Sequence, residues 1–152
     1  MSSDDLHIYR RKLPHWRLAD STYFVTWRLV SERPQLTVLE RDQVAAVLRE
    51  FASQRYDLLA YVVMNDHIHV VVHPYPGHAL EKLVHTWKSY SAHLLQRGGR
   101  RGAVWQREYF DRIIRDEKEL DEKVQYILAN PSRRWPGVDQ YPWVWCRPEM
   151  FE

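Results

Sequence analysis

A single cysteine, Cys146, stands in a chain of 152 residues, so no intrachain disulfide can form and a reducing compartment is expected. Long apolar runs are missing as well, and nothing approaches the roughly 20 residues that a membrane span needs. The opening Met1-Ser2-Ser3-Asp4-Asp5 lacks the basic-then-apolar order of a secretory signal. These absences point to a cytoplasmic protein with no membrane anchor. Repeats, low-complexity tracts and dividing linkers are absent too. The expectation is therefore one domain, 1–152, with a closing tail, 132–152, packed on it. Nor is there an excess of one charge: a net +2 argues nothing by itself about nucleic acid.

The distribution of charge says more. From Lys82 to Arg115, eight Lys or Arg face only Glu108 and Asp111, a net +6. From Asp116 to Lys123 the sign reverses, to a net −3. The basic stretch is interleaved with Trp87, Tyr90, Trp105, Tyr109 and Phe110, a pattern that suits a nucleic-acid strand: cations take phosphates and rings stack on bases. A solvated surface over core aromatics reads equally well from these residues alone.

Periodicity outlines the elements. Residues 21–30 are rich in β-branched and aromatic types and read as a strand. Thr37-x-x-Glu40 fits a capping box, and Val44, Val47, Leu48 and Phe51 follow at helical spacing. Residues 57–64 and 67–73 are apolar strands joined at Asn65-Asp66. Leu80, Leu83, Val84, Trp87, Ser91, Leu94 and Leu95 trace a helix stripe that Gly98-Gly99 stops. A strand follows in 107–115. A last helix begins near Asp116, with Glu119 as its capping partner, and should end before Pro131. The predicted class is α+β: a ferredoxin-like βαββαβ antiparallel sheet, then a C-terminal helix and a short tail.

The most informative residues are Asp66-His67-Ile68-His69-Val70. A strand alternates its faces, so His67 and His69 share one side while Ile68, Val70 and Val72 anchor the other. Two imidazoles one strand-step apart can share a divalent metal. Taken alone, such a pair more often lies half-exposed on a polar sheet face. His73 lies on the same face but about 20 Å along the strand from His67, too far to join them.

The segment Tyr61–Val72 containing this pair resembles the His-hydrophobic-His signature of the HUH single-tyrosine transposases. Val104-Trp105-Gln106-Arg107-Glu108-Tyr109-Phe110-Asp111-Arg112 and Tyr126-Ile127-Leu128-Ala129-Asn130-Pro131 agree with it, in the family's order. The closing Tyr141-Pro142-Trp143 is similar to the tail of the REP-associated branch. The resemblance implies the same fold and a DNA endonuclease and strand transferase. Its substrate would be single-stranded, hairpin-forming repeat DNA, cut through a 5′-phosphotyrosine on Tyr126 with free 3′-OH release. It also implies a metal, Mg²⁺ or Mn²⁺, on His67, His69 and Asn130. A nucleoid-associated monomer or homodimer would follow.

The residues themselves add two points. Leu120, Val124, Ile127 and Leu128 form the last helix's stripe, and at roughly 100° per residue Tyr126 falls about 145° from its centre, beside Glu119, Lys123 and Asn130. A tyrosine that only filled the core would sit on the stripe. The candidate DNA contacts are Arg10, Arg11, Lys12, Lys88, Arg100, Arg101, Arg107 and Arg112. Tyr90 and Tyr109 are rival nucleophiles, and Cys146 reads as a buried, inert thiol. Two alternatives remain open: a non-catalytic nucleic-acid-binding module on the same fold, and an HUH nuclease of the relaxase or replication-initiator type.

Overall fold

The computed structural model describes residues 21–151. The elements in chain order are β1 (Thr22–Leu29), α1 (Val38–Glu50), β2 (Tyr56–Val63), β3 (His67–Pro74), α2 (Leu80–Arg97), β4 (Trp105–Ile114), α3 (Glu117–Arg134) and β5 (Val144–Cys146). A 3₁₀ turn, Pro148–Phe151, follows. No helix among the described residues is long and apolar enough to cross a membrane.

Local chemistry sets the boundaries. Thr37 and Glu40 form a complete capping box at the start of α1: Thr37 N–H donates to Glu40 Oε1 (2.9 Å) and Glu40 N–H to Thr37 Oγ1 (3.2 Å). Helix α2 ends at Gly98, and Gly99 takes φ +124°, a conformation that side chains resist. Asp116 caps α3 by accepting from Glu119 N–H at 2.8 Å. The expected stop before Pro131 is not observed, because α3 runs on to Arg134 with Pro131 inside it. Proline's fixed φ suits a helix. Its missing N–H removes a single backbone bond, and Trp135 N–H closes the last turn on Pro131 O at 2.8 Å.

The strands form one antiparallel sheet in the order β4-β1-β3-β2-β5. Its first four members have the expected ferredoxin-like arrangement. The tail does more than pack, since β5 extends the sheet by pairing Tyr61 with Trp145 and Ala60 with Cys146. Tyr141 donates its hydroxyl to Val63 O (2.6 Å) and Trp143 its indole N–H to Asp42 Oδ1 (2.7 Å).

Alternation along the strands makes two unlike faces. Val25, Trp27, Tyr61, Val63, Ile68, Val70 and Val72 bury one face under α1 and α2, with Trp27 stacked on Trp87 at 5.8 Å between centroids. On the other, Leu59, Ala60, Val62, Val71 and Cys146 pack against Leu120, Val124 and Ile127 of α3. That single helix lies on β2, β3 and β5. On its side, Arg28 at the end of β1 and Phe110 and Arg112 of β4 stay exposed.

Candidate active site

On β3 the pleat turns His67 and His69 toward α3, their ring centroids 4.8 Å apart. Each ring is held through Nδ1. Asp66 Oδ1 lies 2.7 Å from His67 Nδ1, and Thr26 Oγ1 lies 2.6 Å from His69 Nδ1. A carboxylate can only accept, so His67 Nδ1 carries the proton and its Nε2 keeps a free lone pair. In the tautomer that donates Nδ1–H to Thr26 Oγ1, His69 presents Nε2 in the same way. Such outer partners fix ring orientation in metal-binding histidines. Burial pushes His69 down first, and His67, Arg28, Lys123 and Arg133 add to it, from 6.5 to about 3. The His69 ring is therefore neutral near pH 7, as a ligand must be.

The pair opens into a cleft of about 360 Å³ lined by Arg28, Met64, Asn65, Asp66, His67, His69, Tyr126, Asn130, Arg133 and Arg134. All four residues assigned to metal and nucleophile duty on other grounds, His67, His69, Tyr126 and Asn130, meet here. Tyr126 does not point away from the sheet as its helical angle suggests. Its ring bends back over it, edge-on to His69 at 5.3 Å and to Phe24 at 6.1 Å, and stays 39% exposed. A long side chain on a helix flank reaches that far because it leans off the axis toward the preceding turn. Asn130, one turn later, is buried. Its amide nitrogen donates to Tyr126 O at 3.4 Å, leaving the amide oxygen for the cleft.

Among the described residues no group of three His, Cys, Asp or Glu could hold a metal, so a third protein donor has to come from outside those types. Two imidazole Nε2 atoms and the Asn130 oxygen, all from residues lining the cleft, could offer a mixed nitrogen and oxygen set. With positions left open, that set suits Mn²⁺ or Mg²⁺.

The cations of the cleft are not the expected ones. Arg133 lies 4.6 Å over the Tyr126 ring and Lys123 5.0 Å over that of Phe24. Arg28 on β1 lies directly opposite His67. None of these is ion-paired with a described residue. Of the candidate DNA contacts, Arg112 alone among the described ones is on this face, and Arg112 Nε donates to Glu119 at 2.8 Å. Two others hold the fold together instead. Lys88 Nζ donates to the carbonyls of Gln106 and Arg107, both at 2.8 Å, from α2 on the far side of the sheet. Arg100 is bound to Glu40 (2.6 Å) and to the Pro34 and Gln35 carbonyls. Arg107 lines a groove beside α2, and Arg101 lies at the end of that helix, near Glu40. Arg10, Arg11 and Lys12 fall outside the described residues.

The rival groups are accounted for. His73 is buried with Nδ1 3.0 Å from Thr22 Oγ1, away from the cleft. Tyr109 packs against the core under α2, and Tyr90 lies on α2 against Phe51. Burial raises the Cys146 thiol to about 11, which keeps it inert. Arg28, Arg133, Arg134 and Thr26 escape a linear reading. Arg28 and Thr26 depend on strand register, and Arg133 lies on the turn beyond Pro131.

An antiparallel sheet presenting His-x-His to a tyrosine on the last helix is the arrangement of an HUH single-tyrosine transposase. The chain belongs to the family described as IS200-like transposases, whose model matches residues 18–130, both histidines, Tyr126 and Asn130 included. In fold it is similar to a REP-associated tyrosine transposase solved bound to a REP hairpin, with a TM-score of 0.70 at 21% identity over 86% of this chain and 79% of that one. It is also similar to a putative transposase from Deinococcus radiodurans R1, with a TM-score of 0.56 at 20% identity over 75% of this chain and 92% of that one. No curated protein matches the chain.

Proposed function

We propose that the protein is a metal-dependent single-strand DNA endonuclease and strand transferase that acts on hairpin-forming repeat DNA through a 5′-phosphotyrosine intermediate. The observation that carries this reading is the meeting of Tyr126, His67 and His69 in one cleft rimmed by Arg28 and Arg133. A nucleophile among cations that have no ion-pair partner among the described residues suits a phosphodiester. The similar fold solved on a REP hairpin makes hairpin DNA the reasonable form of that substrate.

In this mechanism His67, His69 and Asn130 would hold Mg²⁺ or Mn²⁺, which would supply Lewis-acid polarisation of the phosphate. Asp66 and Thr26 keep both imidazoles aimed. Arg28 and Arg133 bind non-bridging phosphate oxygens and fix the scissile bond for in-line attack. A phenol attacks well only as its proton leaves. The Tyr126 oxygen then forms a bond to phosphorus as the bond to the 3′ oxygen breaks. The 3′ oxygen takes up one proton, balancing the one the phenol gives up, and departs as a hydroxyl, while the phosphate stays on Tyr126, still esterified to the 5′ oxygen of the downstream fragment of the same strand. The phosphotyrosine keeps the bond energy, so a returning 3′-OH can reseal the strand without a nucleotide cofactor.

The test uses labelled hairpin DNA with single-stranded flanks, and a blunt duplex as control. Cleavage of the hairpin strand should require Mg²⁺ or Mn²⁺, stop with EDTA, and be lost in His67→Ala while the folded state persists. Undiminished cleavage in EDTA, or in His67→Ala, would overturn the metal assignment.

A further inference from the structure

One large apolar side chain on the cleft side of the sheet has no cover. Phe110, in the middle of β4, is 68% exposed. Its backbone lies directly opposite Thr26, and Thr26 lies directly opposite His69. Directly opposed residues share a face, so Phe110, Thr26 and His69 form one row across three strands. At a strand spacing near ~4.8 Å, Phe110 is roughly 10 Å from His69. The apolar residues of this face with a packing role, Val62, Val71 and Ile114, are all buried beneath or beside α3. Phe110 lies past the reach of that helix, which packs on β2, β3 and β5.

Two arginines lie on the same face. Arg28, exposed, lies opposite His67, and Arg112 lies opposite Phe24. Arg112 is paired with Glu119, yet 58% of its side chain remains exposed. Edge strands usually carry charged or polar side chains outward, and Phe110 adds nothing to the fold there. A bare ring between arginines, one row along from a phosphodiester site, matches the way single strands are held: bases stack on aromatics while cations follow the backbone.

We infer that Phe110 is a stacking platform for one nucleobase next to the cleaved phosphodiester, with Arg28 and Arg112 holding backbone phosphates on either side. This rests on the function proposed above and adds a base-binding subsite to it. Because every base has a π-face, the subsite is tolerant of sequence and requires an unpaired base. It therefore selects single strands at the point of cleavage. A perfect duplex, with its bases stacked inward, cannot use it.

The experiment compares two probes of equal length: an oligothymidylate strand and the same sugar–phosphate backbone without bases. Binding is measured with Mg²⁺ on full-length protein carrying Tyr126→Phe, so that nothing is cut. Adding F110A should weaken oligothymidylate binding about tenfold or more, leave the base-free probe unchanged, and leave the melting temperature unchanged because the ring is exposed. F110W should restore binding. Equal losses on both probes, or no loss on either, would overturn the inference while the proposed function stands. A drop in oligomeric state with F110A would show that a second copy covers the ring, and would overturn it too. If the parent protein binds oligothymidylate no better than duplex, the proposed function fails and this subsite with it.

Discussion

The two faces of the sheet share the same strands and behave as different materials. Along β3, Ile68, Val70 and Val72 are sealed under α1 and α2 among Trp27, Trp87 and Trp105. The intervening His67 and His69 look out under the edge of α3, toward Tyr126, Arg28 and Arg133. Of the polar groups on the closed face, the Trp27 indole nitrogen is buried without a hydrogen-bond partner, whereas a chain of hydrogen bonds ties down Trp87 and Tyr56. The Trp87 indole donates to Tyr56, whose hydroxyl donates to Leu48 O at 2.6 Å, and burial raises that phenol to about 12. A strand two residues in period can thus anchor itself with one side and do chemistry with the other. One layer of helices is complete, and the other is left half open.

The comparison breaks hardest on the closed face. Trp27→Ala should lower stability by about 3–5 kcal/mol through the cavity it leaves, and any loss of cleavage should follow unfolding. Urea denaturation checks this, and a loss under about 1 kcal/mol would deny that face its structural role. On the open face the order reverses. His69→Ala should cut the cleavage rate at least about a hundredfold while the protein still melts cooperatively, because the ring contacts only Thr26, Phe24, His67 and Tyr126 beside the cleft and belongs to neither hydrophobic core. A weaker version follows from the partners that aim the rings: Asp66→Asn and Thr26→Val should each cost about 10–100-fold in metal affinity or activity, read by metal titration of cleavage.

The smallest effect lies far from the cleft. Burial works to raise the Glu40 carboxyl, yet its bonds to Arg100 and to Thr37 N–H hold it below 4.5. A carboxyl lowered by folding stabilises the protein above its unfolded value and loses that contribution as pH falls through the folded one. Glu40→Gln should therefore cost about 1 kcal/mol at pH 7. The gap from wild type should shrink below pH 4.5. Cleavage should be unaffected at neutral pH.

Much of this was legible in one dimension. The capping box at Thr37, the α2 stripe and the alternation at His67 and His69 each rest on contacts a few residues apart, and each holds. The site's core was legible for the same reason: His-x-His is local to a strand, and Tyr126 and Asn130 are local to a helix. What failed depends on the third dimension. Arg28 faces His67 only through the β1–β3 register. Arg133 reaches Tyr126 because α3 continues past Pro131. Reading Lys88 and Arg100 as DNA contacts treated charge as exposure, but long cations can instead satisfy carbonyls and carboxylates of the fold. The interleaved aromatics divide: Trp87 and Trp105 are core, whereas Phe110 is bare. The tail's Val144–Cys146 gave no period long enough to announce a fifth strand.

The central claim is that Tyr126 becomes covalently joined to DNA on the open face. The direct measurement incubates wild-type protein and Tyr126→Phe with labelled hairpin DNA and Mg²⁺, then separates protein under denaturing conditions. Removing one oxygen keeps the ring that Phe24, His69 and Arg133 surround, so folding and DNA binding should persist. The account predicts label on the wild-type protein and none on Tyr126→Phe. Label retained by Tyr126→Phe would contradict it, moving the nucleophile away from the histidine cleft.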